Sequence, residues 1–378
     1  MWAYPACLVP LSFRLHAELA ARHDGPARWG YRRVGCGSFS ATVTSESLAQ
    51  LRRASASAAS ASEADAAGKS DPEQPVPSSR LGNGPGSGGP DDGSADQKAW
   101  EKLPKQDDDA KAKLQPHPSG LPADLDWVDA ALVDEYHEMG GPGKSDTAQV
   151  HPFHFTTAIA ALAQEKGVAV RLRAQATKLH YAPDGAAPGG GERIASVEYV
   201  DRDSGEAHTL TDVTDVVVAA GPWTGRLLPK TRVEGLRAHS VVWDANVSPY
   251  AVFTDVALPP DYVPDHRARM GQKRKHRGRV DPEIYARPGN EVYACGKFHP
   301  FFHFDTQLRT VLSRQQTDVP TGEPDKTIPL PDTADQVQFD RAQCDDLIAY
   351  VATVSPALAT APVRTRQACY LPRHMRFG

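Results

Sequence analysis

Apolar residues recur at helical spacing in three places along the chain. Leu11, Leu15, Leu19 and Ala20 share one face of a helix predicted over Leu11–His23, which Gly25-Pro26 ends. Pro152 opens a second helix carrying Phe155, Ala158, Ile159 and Leu162, and Gly167 closes it. A third, long helix over Phe339–Ser355 places Cys344, Leu347, Ile348 and Val351 on one side. Val128–Met139 is also read as helical, stopped by the glycines from 140 onward.

Elsewhere the pattern alternates or runs apolar, which predicts strands. These are Trp29–Val34, Val168–Leu172, Ala176–Tyr181, the hairpin Ile194–Val200 with His208–Leu210, and Val216–Ala220. From Val233 the chain turns β-rich, with Ser240–Trp243, Ala251–Phe253, Glu283–Arg287 and Glu291–Cys295. Pro288-Gly289-Asn290 supplies the turn between the last two. Ala54 to about Gly120 is different: an Ala/Ser tract gives way to Pro, Gly, Asp and Lys with almost no large apolar side chains. Such a stretch cannot bury enough area to offset its ordering entropy, so it reads as a disordered insertion in one folded unit.

Composition narrows the function. A net charge of −5 over 378 residues argues against general nucleic-acid binding. The five cysteines Cys7, Cys36, Cys295, Cys344 and Cys369 are scattered without metal spacing, as reduced thiols of a cytoplasmic protein would be. No apolar run is long enough to span a membrane, and the apolar start Met1–Leu11 lacks the basic flank of a signal peptide. A small-molecule substrate is the expected partner; oligomeric state is not legible.

Several motifs invite chemistry and are better explained without it. Gly35-Cys36-Gly37-Ser38 looks like the start of a dinucleotide fingerprint, but the third glycine and the following helix are missing, so a strand ending at a turn is the better reading. Gly140–Ser145 ends like a phosphate loop, yet a predicted helix precedes it and Glu138 stands where the first glycine belongs. Lys273–Arg277 reads as a solvated basic loop, with nuclear import or an acidic partner as the lesser reading. His151, His154, His299 and His303 lack metal geometry, and no metal site is expected.

The remaining stretches fit together in order. Gln149-Val150-His151-Pro152, a helix, Gly167-Val168, a strand with Ala176, a hairpin and then Val217-Val218-Ala219-Ala220-Gly221-Pro222-Trp223 resemble the FAD-dependent oxidoreductases of the D-amino-acid oxidase superfamily. Leu11–Leu19 and Trp29–Arg33 extend the likeness to a fungal subgroup of oxidoreductases. The resemblance implies an α/β fold: a doubly wound, Rossmann-like FAD-binding domain, incomplete here, with an inserted antiparallel-sheet substrate domain. It divides the chain into an N-terminal remnant (1–53), the insertion (54–120), an FAD-binding part (121–232), a substrate domain (233–330) and a return segment (331–378).

By the same resemblance, Gln149, Val150, His151, Ala176, Ala219, Ala220, Gly221 and Trp223 are the expected cofactor contacts. Tyr285, Arg287 and Tyr293 are the expected substrate-facing residues, with Arg287 suited to a carboxylate. The implied activity is oxidation of an amine, amino acid or similar small substrate by hydride transfer to flavin. The family's opening strand with Gly-x-Gly-x-x-Gly and its closing glycine-rich loop are not found between Met1 and Gly378. A chain truncated at both ends, binding FAD weakly or not at all, is therefore expected. A non-catalytic fragment acting as a binding or regulatory module is the alternative.

Overall fold

The computed structural model describes residues 8–51, 53, 118–140, 147–184, 190–273, 278–296 and 329–374. The expected disordered insertion falls, from 54 to 117, outside the described residues, as do Gly141–Ser145, residues 274–277 of the basic run, His299, His303 and Cys7.

The architecture is mixed α/β. Helix α1 (Leu8–Arg22) and the single turn α2 (Gly25–Trp29) come first, followed by β1 (Arg32–Arg33) and β2 (Gly35–Thr42). Next are β3 (Val133–Glu138), β4 (Ala148–Gln149), helix α3 (Pro152–Gln164), β5 (Ala174–Asp184), β6 (Gly191–Asp201) and β7 (Ala207–Leu210). Then come β8 (Val233–Asp244), β9 (Tyr250–Ala257), α4 (Asp265–Arg269), β10 (Arg279–Val280), β11 (Pro282–Arg287) and β12 (Glu291–Gly296). Helix α5 (Arg341–Ala352), the short α6 (Pro356–Thr360) and β13 (Val363–His374) follow.

The main sheet has eight strands, ordered β13-β8-β12-β11-β9-β2-β3, with β10 also on β9. Its ladders are antiparallel, with the exception of β2, which runs parallel to β9 from Gly35↔Tyr250 to Thr42↔Ala257. One face builds the core. Val241 and Trp243 of β8, Val252 of β9, Ile284 of β11 and Val292 and Ala294 of β12 are buried with Cys344, Leu347, Tyr350 and Val351 of α5. Helix α5 is capped by Asp340, whose carboxylate accepts from the N–H groups of Ala342 (2.8 Å) and Gln343 (3.2 Å). It is then pinned at Asp346, a buried carboxylate that accepts from His266 Nε2 (2.9 Å) and from Arg267 Nε (2.9 Å) and Nη2 (2.6 Å) of α4.

Two smaller sheets flank this body: β1 with β4, and the antiparallel β5-β6-β7. Helices α2 and α3 pack together, with Phe155 edge-on to Trp29 at 5.7 Å and tilted against His16 at 4.7 Å.

Four expectations are corrected. Val128–Met139 is not a helix: a 3-10 turn at Ala130–Leu132 leads into β3, because Val133 and Tyr136 enter the core when the segment pairs with β2. Val168–Leu172 and Val216–Ala220 join no ladder among the described residues; Leu172 is 82% and Val217 90% exposed. A strand exists only through its partners, and an apolar run alone does not supply one. Trp29 belongs to α2, which leaves only Arg32–Arg33 as strand in that stretch. Helix α1 forms as expected, but of its apolar face only Ala20 is buried, while Leu11 and Leu15 stay exposed.

Candidate functional site

The hairpin β11–β12 sorts its side chains by pleat. Ile284, Ala286, Val292 and Ala294 point into the core, so Glu283, Tyr285, Arg287, Glu291, Tyr293 and Cys295 share the opposite face. The register sets Glu283 across from Cys295, Tyr285 across from Tyr293 and Arg287 across from Glu291. Asn290 (φ 58°) and Gly289 (φ 82°) both take the left-handed region at the turn, as a tight hairpin requires.

On that face the three expected substrate residues meet. The Arg287 guanidinium lies over the Tyr293 ring, 3.9 Å from its centroid. Tyr285 and Tyr293 stand 6.1 Å apart, and Phe253 of β9 meets Tyr285 edge-on at 6.2 Å. The Tyr285 hydroxyl donates to Glu283 Oε2 at 2.6 Å, and Cys295 Sγ lies 3.9 Å from the same oxygen. Burial, with Glu283 adding to it, raises the Tyr285 phenol far above its ordinary value; burial does the same to Tyr293. Both therefore stay neutral donors at any physiological pH. Burial also holds the Arg287 guanidinium below its usual range, the mark of a cation partly stripped of water.

The expected cofactor residues fall into two sets. In the first, Gln149 Oε1 accepts from Arg32 Nε (3.2 Å), and Arg32 Nη2 donates to the Ala286 carbonyl (2.9 Å). His151 caps α3: its Nδ1 accepts weakly from the His154 N–H, which leaves Nε2 to donate to Glu291 Oε2 at 3.1 Å. Gln149, Val150 and His151 are thereby tied to the hairpin that carries Arg287. In the second set, Ala176 lies exposed on β5, and Ala219, Ala220 and Gly221 lead into a tight turn. Gly221 has φ +52°, and a Cβ placed there would meet nothing within 4 Å. Trp223 is fixed by its indole N–H, which donates to the Pro331 carbonyl at 2.7 Å. The helical turn Thr224–Leu227 that follows packs on β5, which joins the two parts of this set.

Gly35 and Gly37 are explained by packing. Both face the core from β2; a Cβ on Gly35 would stand 2.1 Å from the Tyr250 ring, and one on Gly37 2.2 Å from the Tyr136 hydroxyl. These glycines seat two tyrosines rather than cradle a phosphate. A cavity of about 490 Å³ opens beside them, lined by Gly35, Gly120, Pro122, Asp124, Tyr136, Glu138 and Tyr250. It lies at the β2–β3 end of the sheet, away from the Arg287 face. The Tyr250 hydroxyl donates to Asp124 there. Among the described residues no group of three or more His, Cys, Asp and Glu is placed to hold a metal, and no helix is long and apolar enough to cross a membrane.

Sequence reasoning missed Glu283, Glu291 and Phe253. The first two were within reach, since Glu283-x-Tyr285-x-Arg287 and Glu291-x-Tyr293-x-Cys295 each share one face by simple alternation. Phe253 comes from β9, and only the register could place it.

Comparison with known proteins bears on this arrangement. The chain is 26% identical over 98% of its length to the protein named "Putative oxidoreductase TDA3" of Saccharomyces cerevisiae, of which it spans 72%. It is 27% identical over 68% of its length to "Putative oxidoreductase C1F5.03c" of Schizosaccharomyces pombe, of which it spans 56%. Among solved structures, glycine oxidase from Geobacillus kaustophilus is alike over 99% of this chain and 69% of its own, at 14% identity and a TM-score of 0.46. Glycine oxidase from Bacillus cereus ATCC 14579 is alike over 99% and 71%, at 12% identity and a TM-score of 0.49. These structural likenesses are too distant to carry an argument. The sequence profile of the family described as FAD dependent oxidoreductase matches residues 93–377, well over half of the chain, and the reading as a binding or regulatory module gains no support from it. The chain belongs to the FAD dependent oxidoreductase family.

Proposed function

We propose that the protein oxidises the carbon–nitrogen bond of a small amino carboxylate, with Arg287 holding the carboxylate over an aromatic floor. The observation that carries this reading is the Arg287 guanidinium on the Tyr293 ring, beside Tyr285. A partly desolvated guanidinium keeps its donors for a planar anion and binds it in a fixed orientation.

The residues present fit FAD along one wall. Ala176 and Ala219 are exposed and small, and the open space at Gly221 lets a flat ring approach the backbone. Ala176, Ala219, Ala220, Gly221 and Trp223 would line that wall, with Gln149, Val150 and His151 at the seam to the hairpin. The chemistry FAD supplies when bound is acceptance of a hydride from the substrate carbon. Gly35 and Gly37 are committed to tyrosine packing, which supports the expectation that this chain holds FAD weakly. The protein's own contribution is position: Arg287 orients the carboxylate, while Tyr285, Tyr293 and Phe253 exclude water and present the amine-bearing carbon.

Calorimetric titration of the full chain with an amino acid and with the amine lacking its carboxylate tests this reading. The amino acid should bind at least tenfold more tightly, and Arg287→Met should remove the difference. With FAD in excess under anaerobic conditions, the bound amino acid should bleach the flavin absorbance. Equal binding of the two ligands, or no effect of Arg287→Met, overturns it.

A further inference from the structure

We propose that the substrate carries an uncharged aromatic side chain, and that Phe253 is the residue that selects it. The inference rests on the reading of Arg287 as the carboxylate anchor. From that anchor the floor extends in one direction only. Behind Arg287 the hairpin turns at Pro288-Gly289-Asn290, and Glu291, across from Arg287, is held by His151 and Arg364. Ahead of it three rings stand in a row. Arg287 lies over Tyr293, Tyr293 is 6.1 Å from Tyr285, and Tyr285 is 6.2 Å from Phe253 with the ring planes at 85°. A carboxylate held at Arg287 therefore sets the substrate's side chain over Tyr285, with Phe253 at its end.

The polar groups along this row are engaged by the protein itself. Glu283 accepts from the Tyr285 hydroxyl at 2.6 Å, lies 3.9 Å from Cys295 Sγ and has a further partner, so its part is to fix the Tyr285 ring. The Tyr293 hydroxyl is hydrogen-bonded to Ser240. The neighbours in register are uncharged: Ala251 and Tyr293 flank Tyr285, Phe253 and Cys295 flank Glu283, and Val242 follows Tyr293. What the row offers a side chain is ring surface. A charged or amide-bearing side chain laid there loses water without an equivalent return. An aromatic side chain gains twice: it removes apolar area from water, and it joins rings spaced within the range of about 4.5–7 Å in which offset and edge-on rings attract. Phe253 decides the matter because it comes from β9 and stands nearly perpendicular to Tyr285, which makes a corner of what would be a flat floor. A flat ring can stack on one wall of that corner and meet the other edge-on, whereas a methyl side chain stops short of Phe253.

The test is calorimetric titration of the full chain with phenylalanine, alanine, lysine and glutamate, each as both enantiomers, and with phenethylamine. Phenylalanine should bind about tenfold or more tighter than the other three amino acids, and with a more negative heat-capacity change than alanine. Phe253→Ala should shrink the phenylalanine-to-alanine ratio to about threefold or less while both still bind, and Phe253→Trp should keep it at about tenfold. An unfolded variant cannot give that pair of results. Equal binding of phenylalanine and alanine by the unaltered chain overturns the proposal. So does lysine or glutamate matching phenylalanine, or a ratio that Phe253→Ala leaves as it was. Arg287→Met separates the two readings. If it removes the advantage of phenylalanine over phenethylamine while the phenylalanine-to-alanine ratio ignores Phe253, this inference alone fails; if it leaves that advantage intact, the carboxylate anchor itself fails.

Discussion

His151 and Glu291 meet across the seam between the loop that opens α3 and the hairpin that carries Arg287, Nε2 to Oε2 at 3.1 Å. Glu291 also pairs with Arg364 of β13, which in turn holds Asp244 of β8. One carboxylate thus ties three parts of the chain together. Glu291→Ala should lower stability by about 1–2 kcal/mol, toward the modest end because Arg364 is largely open to solvent. It should also loosen the loop at Gln149–His151. Urea denaturation measures the first effect, and faster amide exchange around His151 the second. An unchanged midpoint with unchanged exchange would show that the seam does not depend on this contact.

The glycines of β2 give a sharper test. Gly37→Ala forces a methyl group against the Tyr136 ring and hydroxyl in the core, which should cost about 1–3 kcal/mol. Adding Tyr136→Ala to Gly37→Ala should cost less than the sum of the two single changes. If Gly37→Ala instead left stability intact and impaired only FAD binding, the phosphate-cradle reading of this stretch would return.

Tyr136 also predicts a response to alkaline pH. Burial, then the charges of Glu138, Cys36 and Asp124, push its phenol up to about 12 from an ordinary 10. The folded state thus holds this proton more tightly than the unfolded one. Its contribution to stability is complete below pH about 10 and is lost as pH rises through about 12. Tyr136→Phe should flatten that part of the stability curve, read as the denaturation midpoint against pH. Phenolate absorbance should show the Tyr136 proton leaving after those of the exposed tyrosines.

At Gly221 the structure separates two causes. The left-handed backbone penalises most side chains by about 1–2 kcal/mol, yet no neighbour obstructs a Cβ. Gly221→Asn tolerates that backbone and Gly221→Leu does not, while both add bulk at the proposed flavin wall. Both should therefore lower FAD affinity by tenfold or more, and only Gly221→Leu should lower the melting temperature. Undiminished FAD binding by Gly221→Asn would remove the wall assignment.

What the sequence made legible was local. Tyr285, Arg287 and Tyr293 alternate with Ile284, Ala286 and Val292, so one face of β11–β12 could be read from spacing, and Pro288-Gly289-Asn290 fixed the turn. Cys344, Leu347 and Val351 likewise announced α5. Val133–Glu138 was misread because Asp134, Glu135, His137 and Glu138 carry no strand signal; pairing with β2, about a hundred residues earlier, decides its conformation. Phe253 reaches Tyr285 for the same reason, through a register that no local pattern encodes. The aliphatic residues of Val168–Leu172 and Val216–Ala220 gave a clear signal for strands, but a signal of propensity cannot create a partner.

The parallel pairing of β2 with β9 joins segments separated by roughly 200 residues. Ribosomes add about 5–20 residues per second, so β2 leaves the tunnel about 10–40 s before β9 exists. For that interval Phe39, Ala41 and Val43, all buried at the end, have at most β3 beside them and not the rest of the sheet. Closing so long a loop adds only slowly rising entropy, but it must precede any reward from the contact. The N-terminal strand is thus made first and docked late, and a nascent chain of this protein is a natural client for chaperones until residue 257 has emerged.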